Sequence, residues 1–172
     1  MLFLLGGCFP SFVITHPEFK MLREIPDEKQ RYLVFSQFPM EKQLDIHLAA
    51  MNQTHPSTRS YGDDMIRRYG DKLIPLLITH IKKEDEEFFL PETSLERKWS
   101  ITFRKKDTIA LFDEMITRDD KCNLNVTREQ IKFFLEGILY TNQRSTPLVY
   151  VGETIEHVFD LLNCPRFRNG QA

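Results

Sequence analysis

The sequence predicts an all-α fold, a compact bundle of about six or seven helices. Apolar residues recur at three- and four-residue steps in several windows, most clearly at Ile131, Phe134, Leu135 and Ile138. Residues that cap helices stand immediately before such windows. Composition agrees: 41% hydrophobic and 28% charged residues over 172 positions allow one buried core, with no excess of Pro or Gly. The domain plan is an apolar N-terminal segment at 1–14, a single helical domain at 15–165 and a tail at 166–172.

Within the domain, Asp27 to Phe38 reads as a helix with Asp27 and Gln30 as a cap pair. Its Tyr32-Leu33-Val34-Phe35 run fits a strand equally well. Met40 to Met51 places Leu44, Leu48 and Met51 on one side of a short helix, and His55-Pro56-Ser57-Thr58 breaks it. A further short helix ends near Tyr69, turns at Gly70-Asp71 and is followed by a helix containing Pro75. Leu73, Ile74, Leu77, Ile78 and Ile81 form the apolar stripe of that second helix. Lys82-Lys83 suits its negative C-terminal end, and Pro75 either starts the helix or bends it.

Ser94 caps a stretch through Leu95-Glu96-Arg97-Lys98. From Trp99 to Arg118 the pattern is mixed: Ile109, Phe112 and Ile116 are helical in spacing, whereas Ile101-Thr102-Phe103 is compatible with extended chain. Thr127-Arg128-Glu129-Gln130 has the form of a capping box before the Ile131–Ile138 face. Gly137 costs that helix about 1 kcal/mol relative to Ala and leaves room for a neighbour to approach. Ser145-Thr146-Pro147 opens the last helix, whose stripe is Leu148, Val151, Ile155, Val158, Phe159 and Leu162, and Pro165 marks its end. The last two helices are expected to pair antiparallel.

Two short stretches resemble known families. Tyr61 to Glu86, "YGDDMIRRYGDKLIPLLITHIKKEDE", resembles one unit of a HEAT-like repeat, a helical hairpin. No second unit of equal period follows, so the likeness implies one HEAT-like hairpin inside a bundle rather than a solenoid. Such repeats generally serve as protein-binding scaffolds. Leu5-Gly6-Gly7-Cys8 resembles a bacterial lipobox, an aliphatic residue and two small ones before the cysteine that receives diacylglycerol. That likeness implies lipidation at Cys8 and a chain tethered to the cell envelope on its periplasmic face. The apolar run is short, and the first basic residue is Lys20, so a full export signal is not present as written. Phe9, Phe12, Val13 and Ile14 fit the alternative, a packed apolar arm in a cytoplasmic protein.

Three cysteines leave Cys122 and Cys164 once Cys8 is assigned to lipid. In an oxidising compartment these two are a disulfide candidate, contributing roughly 3–4 kcal/mol in the chain-entropy model. In a cytosolic protein they would be free thiols.

No catalytic, cofactor-binding or metal residue is predicted. His16, His47, His55, His80 and His157 show no zinc-binding spacing. Asp45 and His47 diverge by about 200° on a helix. Glu153 and His157 share a face at i and i+4, the ordinary geometry of a solvated surface pair. Glu84-Asp85-Glu86-Glu87 lacks the alternating oxygens and Gly of a calcium loop. No Gly-flanked serine elbow or phosphate-cradling loop is present. A formal charge of −2 supplies no field for nucleic acid, and no apolar run reaches the roughly 18–20 residues that span a bilayer. Fourteen Phe are a stronger signal. In Phe88-Phe89 and Phe133-Phe134, neighbours diverge by about 100°, so one member of each pair falls at the edge of the buried face.

The sequence therefore leads to a non-enzymatic, membrane-tethered helical module whose partner is another protein. The alternatives are a cytosolic regulatory or immunity-like binding protein, with residues 1–14 folded in, and an enzyme with a dispersed site drawn from groups such as His47, His80 and Glu153.

Overall fold

The computed structural model describes residues 16–51, 58–118, 122–144 and 151–168, of which 58–60, 139–144, 151–153, 166 and 168 are described by their backbone alone. Cys8, the 1–14 segment and the His55-Pro56 break lie outside the described residues. Among these residues the chain is all-α, with helices α1 (Pro17–Arg23), α2 (Glu28–Ser36), α3 (Met40–Met51), α4 (Thr58–Tyr69), α5 (Leu73–Phe89), α6 (Leu95–Arg118), α7 (Arg128–Arg144), α8 (Val151–Leu162) and α9 (Pro165–Arg168). α1 and α9 are short, and the other seven form the body of a compact bundle. A 3-10 turn, Gly70–Lys72, joins α4 to α5, with Gly70 at φ +50°, where a side chain is strained.

Local chemistry explains the starts. Asp27 accepts a hydrogen bond from the Gln30 backbone N–H at 2.7 Å and begins α2 as a helix, not a strand. Ser94 accepts from the Arg97 N–H at 3.2 Å and begins α6. Thr127 and Gln130 exchange hydrogen bonds at 3.2 and 2.9 Å, a complete capping box for α7. Pro75 falls in the first turn of α5, where its missing N–H costs nothing.

The 24-residue α6 is the central post and packs against α3, α5, α7 and α8. Ile101, Thr108, Ile109, Phe112 and Ile116 all face inward, which holds the Ile101-Thr102-Phe103 stretch in the helix. Thr102 and Thr108 donate to the carbonyls four residues back, at 2.9 and 2.8 Å, so neither hydroxyl opposes it. Phe112 stacks on Phe134 of α7 with centroids 3.7 Å apart, worth about 0.5–1.5 kcal/mol beyond area burial. On the other side, α4 packs chiefly on α3, and its Tyr61 stacks on Phe35 of α2.

Cys122, before α7, and Cys164, after α8, are joined by a disulfide with Cα atoms 5.4 Å apart. The end of α8 thus lies beside the start of α7, and the two packed helices run antiparallel. Pro165, expected only to end α8, also opens α9. That turn carries Phe167, fully buried although it lies in the segment read as a tail.

Candidate functional site

Two regions of the bundle carry features beyond an ordinary core: a polar cluster between α3, α5 and α6, and an aromatic surface where α5 meets α6.

The polar cluster is centred on Glu84, whose side chain is only 5% exposed. Arg104 of α6 approaches Glu84 Oε1 with Nε at 3.0 Å and reaches Asp45 of α3 at 3.9 Å. His80, one turn earlier on α5, lies 3.4 Å from the same carboxylate oxygen. Burial, reinforced by the Arg104 and Lys83 cations, pushes His80 down to about 4, so its imidazole is neutral at pH 7 and the contact with Glu84 is not an ion pair. Burial likewise pushes the Glu84 carboxyl up, with Arg104 opposing. Its second oxygen has no hydrogen-bond partner. Nearby, Glu18 holds Lys42 at 2.7 Å and His16 at 3.2 Å. The further acid on this side of α6, Asp107, is pushed up to about 7 by burial.

The structure does not bring the dispersed candidates His47 and His80 together. His47 is buried against Gly62 and Leu111, whereas His80 meets Glu84, so the structure gives the two histidines separate surroundings. His157 meets Asp113 of α6 at 2.8 Å; the Glu153 side chain lies outside the description. Among the described residues, no group of three or more His, Cys, Asp or Glu is placed to hold a metal ion. No helix among them is long and apolar enough to cross a membrane.

Another buried polar residue, Gln43, is structural, and the sequence reading missed it. Gln43 is fully buried; its Nε2 donates to Phe38 O at 2.6 Å and Tyr69 Oη at 2.8 Å, and its Oε1 accepts from Arg68 at 2.7 Å. It locks the α2–α3 corner to α4. A surface groove of about 490 Å³ flanks this junction, lined by Lys29, Tyr32, Asp63 and Arg67 among others. Its carboxylates are already engaged, Asp64 by Arg67 and Arg68, and Asp63 by Arg118.

The aromatic surface lies at the α5–α6 tip. Phe89 is 60% exposed, Leu95 70% and Trp99 50%, with Leu90 and Phe103 close behind. Spacing produces it: Leu95, Trp99 and Phe103 recur every four residues on the side of α6 away from the core. Trp99 and Phe103 stack at 6.5 Å, and Phe88 meets Phe89 edge-on at 5.4 Å. The expected division of the Phe pairs is visible: Phe134 is buried and Phe133 half-buried, while Phe88 is half-buried and Phe89 exposed. Two grooves flank the pair. One, of about 280 Å³, is lined by Phe88, Leu95, Lys98, Trp99 and Thr102. The other, of about 340 Å³, has an apolar floor of Ile81, Phe89, Phe133 and Gly137 and is also lined by Asp85, Lys105 and Glu136. The tip itself is firm, because Glu87 grips Arg97 through two hydrogen bonds of 2.5 and 2.7 Å across the α5–α6 turn. The Arg97 hydrogen bond holds the Glu87 carboxyl below its usual range.

No protein-family model, curated protein or solved structure shows significant similarity to this chain.

Proposed function

We propose that this chain is a non-enzymatic helical interaction module, tethered to the periplasmic face of the cell envelope through Cys8, that binds a protein partner with its α5–α6 tip. The observation that carries the reading is the exposed surface of Phe89, Leu90, Leu95, Trp99 and Phe103. Large side chains scattered singly, such as Met21, Leu33 and Phe159 elsewhere, need no explanation. Five gathered at one rigid helix junction have the character of an interface, where aromatic residues are enriched. The Cys122–Cys164 pair supports the compartment, since stable disulfides belong to oxidising surroundings. The proposed tether is the thiol of Cys8.

Two measurements test it. A photoreactive benzoyl-phenylalanine replacing Phe89 should give a crosslinked protein adduct in producing cells, and the same group replacing Leu33 should not. Equal adducts from both positions, or none, would remove the tip from the proposal. The intact mass of the native protein should show a Cys8 N-terminus carrying acyl chains, in the membrane fraction. An unmodified Cys8 in the cytosolic fraction would replace the tether with the cytosolic binding protein.

A further inference from the structure

Resting on that reading, the charges around the tip say which partner it suits. Lys98 places its ammonium 5.5 Å from the Phe88 ring centroid, and Lys82 does the same over Phe133 at 5.6 Å. Among the described residues no carboxylate lies within salt-bridge distance of either lysine. The acids bordering the grooves are engaged: Asp85 by Lys105, Glu136 by Lys132 at 3.7 Å, and Glu87 by Arg97. Glu86, Glu92 and Glu96 are exposed and, like Lys82, stand outside both groove linings, but none of the three lies on a groove-lining ring as Lys82 does. The uncommitted charge set directly on the groove-lining rings is therefore positive, Lys98 on Phe88 and Lys82 on Phe133.

The shape narrows the partner further. The described residues form no strand, so there is no sheet edge to which a partner strand could add. What the tip offers is two apolar grooves meeting at the Phe88–Phe89 pair, the form that accepts the ridge of an amphipathic helix. Lys82 and Phe89, at i and i+7, share a stripe of α5, and they lie roughly 10 Å apart along it. A helix crossing both grooves needs about three to four turns, with apolar residues at i, i+3, i+4 and i+7.

We propose that the α5–α6 tip receives an acidic amphipathic helix of a protein partner, its apolar ridge in the two grooves and its flanking carboxylates on Lys98 and Lys82. Both lysines already lie against aromatic rings, so a carboxylate meets a cation whose freedom is reduced before binding.

Trp99 is the only tryptophan in the chain, which places the reporter in the proposed site. The probes are two synthetic helical peptides without tryptophan, sharing one Leu/Phe ridge, one flanked by Glu and the other by Lys. Titrated into the full chain, the Glu peptide should shift Trp99 emission to the blue and bind about tenfold tighter than the Lys peptide. The doubly reversed variant Lys82→Glu/Lys98→Glu, checked for an unchanged helical melt, should invert that order. Equal binding of both peptides overturns the acidic partner and leaves the interaction surface standing. So does silence toward both while the Phe89 crosslink persists in cells. A blue shift with anionic phospholipid vesicles alone assigns the tip to a membrane surface, and concentration-dependent self-association assigns it to a second copy. Either result overturns the inference.

Discussion

Gly62 shows how much one missing methyl group can decide. A Cβ built there would meet His47 Cε1 at 2.9 Å and Leu111 Cδ1 at 3.3 Å, and the buried ring has little room to retreat. Gly62→Ala should lower stability by about 1–3 kcal/mol in a denaturant melt. At Gly137 the same methyl would meet Ile109 at an ordinary 3.8 Å, so the close approach expected there occurs at Gly62 instead. Sequence spacing could not show this, because it depends on which helix crosses which. Two titrating groups give opposite pH signatures. His80 has its folded pKa lowered from 6.5 to about 4, so the unfolded chain binds more protons there and stability falls as pH drops through that window. Asp107 is raised from 3.8 to about 7; the folded chain holds the extra proton, and stability falls as pH rises across that range. The two effects partly cancel in the native protein. Asp107→Asn should therefore raise stability by about 2 kcal/mol at pH 8 and by little at pH 4. His80→Gln should flatten the loss between pH 6.5 and 4, and melts at a series of pH values test both.

At the scale of elements, the helix starts were the most legible feature. A cap needs only residues three apart, and Asp27–Gln30, Ser94–Arg97 and Thr127–Gln130 all make the bonds that spacing allows. Thr127→Ala should cost about 1 kcal/mol, read as a lower melting midpoint. The middle of α6 was less legible. Ile101-Thr102-Phe103 carries β-branched and aromatic residues and is compatible with extended chain by itself, but the inward face from Ile101 to Ile116 is filled by four other helices. Packing settled what propensity left ambiguous. The tip was readable in part: the divergence of adjacent Phe residues placed one of each pair at the edge of the buried face. The registration of Leu95 with Trp99 and Phe103 appeared only once α6 proved continuous. The Gln43 hub had no sequence signal, since its partners come from two different places, Phe38 just before α3 and Arg68 with Tyr69 at the end of α4.

At the scale of the whole molecule, one covalent link ties the C-terminal hairpin shut. Cys122 and Cys164 are 42 positions apart, and opening that loop should cost about 4 kcal/mol in the chain-entropy model. Cys122→Ser/Cys164→Ser should show this as a large drop in the urea midpoint, with helical content before the transition retained. Phe167, fully buried just beyond the link, extends the packed body to the last described turn.

The two ends of that link live in different surroundings: the Cys122 residue faces water, whereas Cys164 is covered. An incoming glutathione thiolate is therefore expected to attack the loop sulfur, leaving glutathione on Cys122 and expelling the covered Cys164 as a thiolate. Quenching such a reaction midway with an alkylating agent should give peptides glutathionylated at position 122, and reopening should be slow to spread because the expelled thiolate is well placed to strike back.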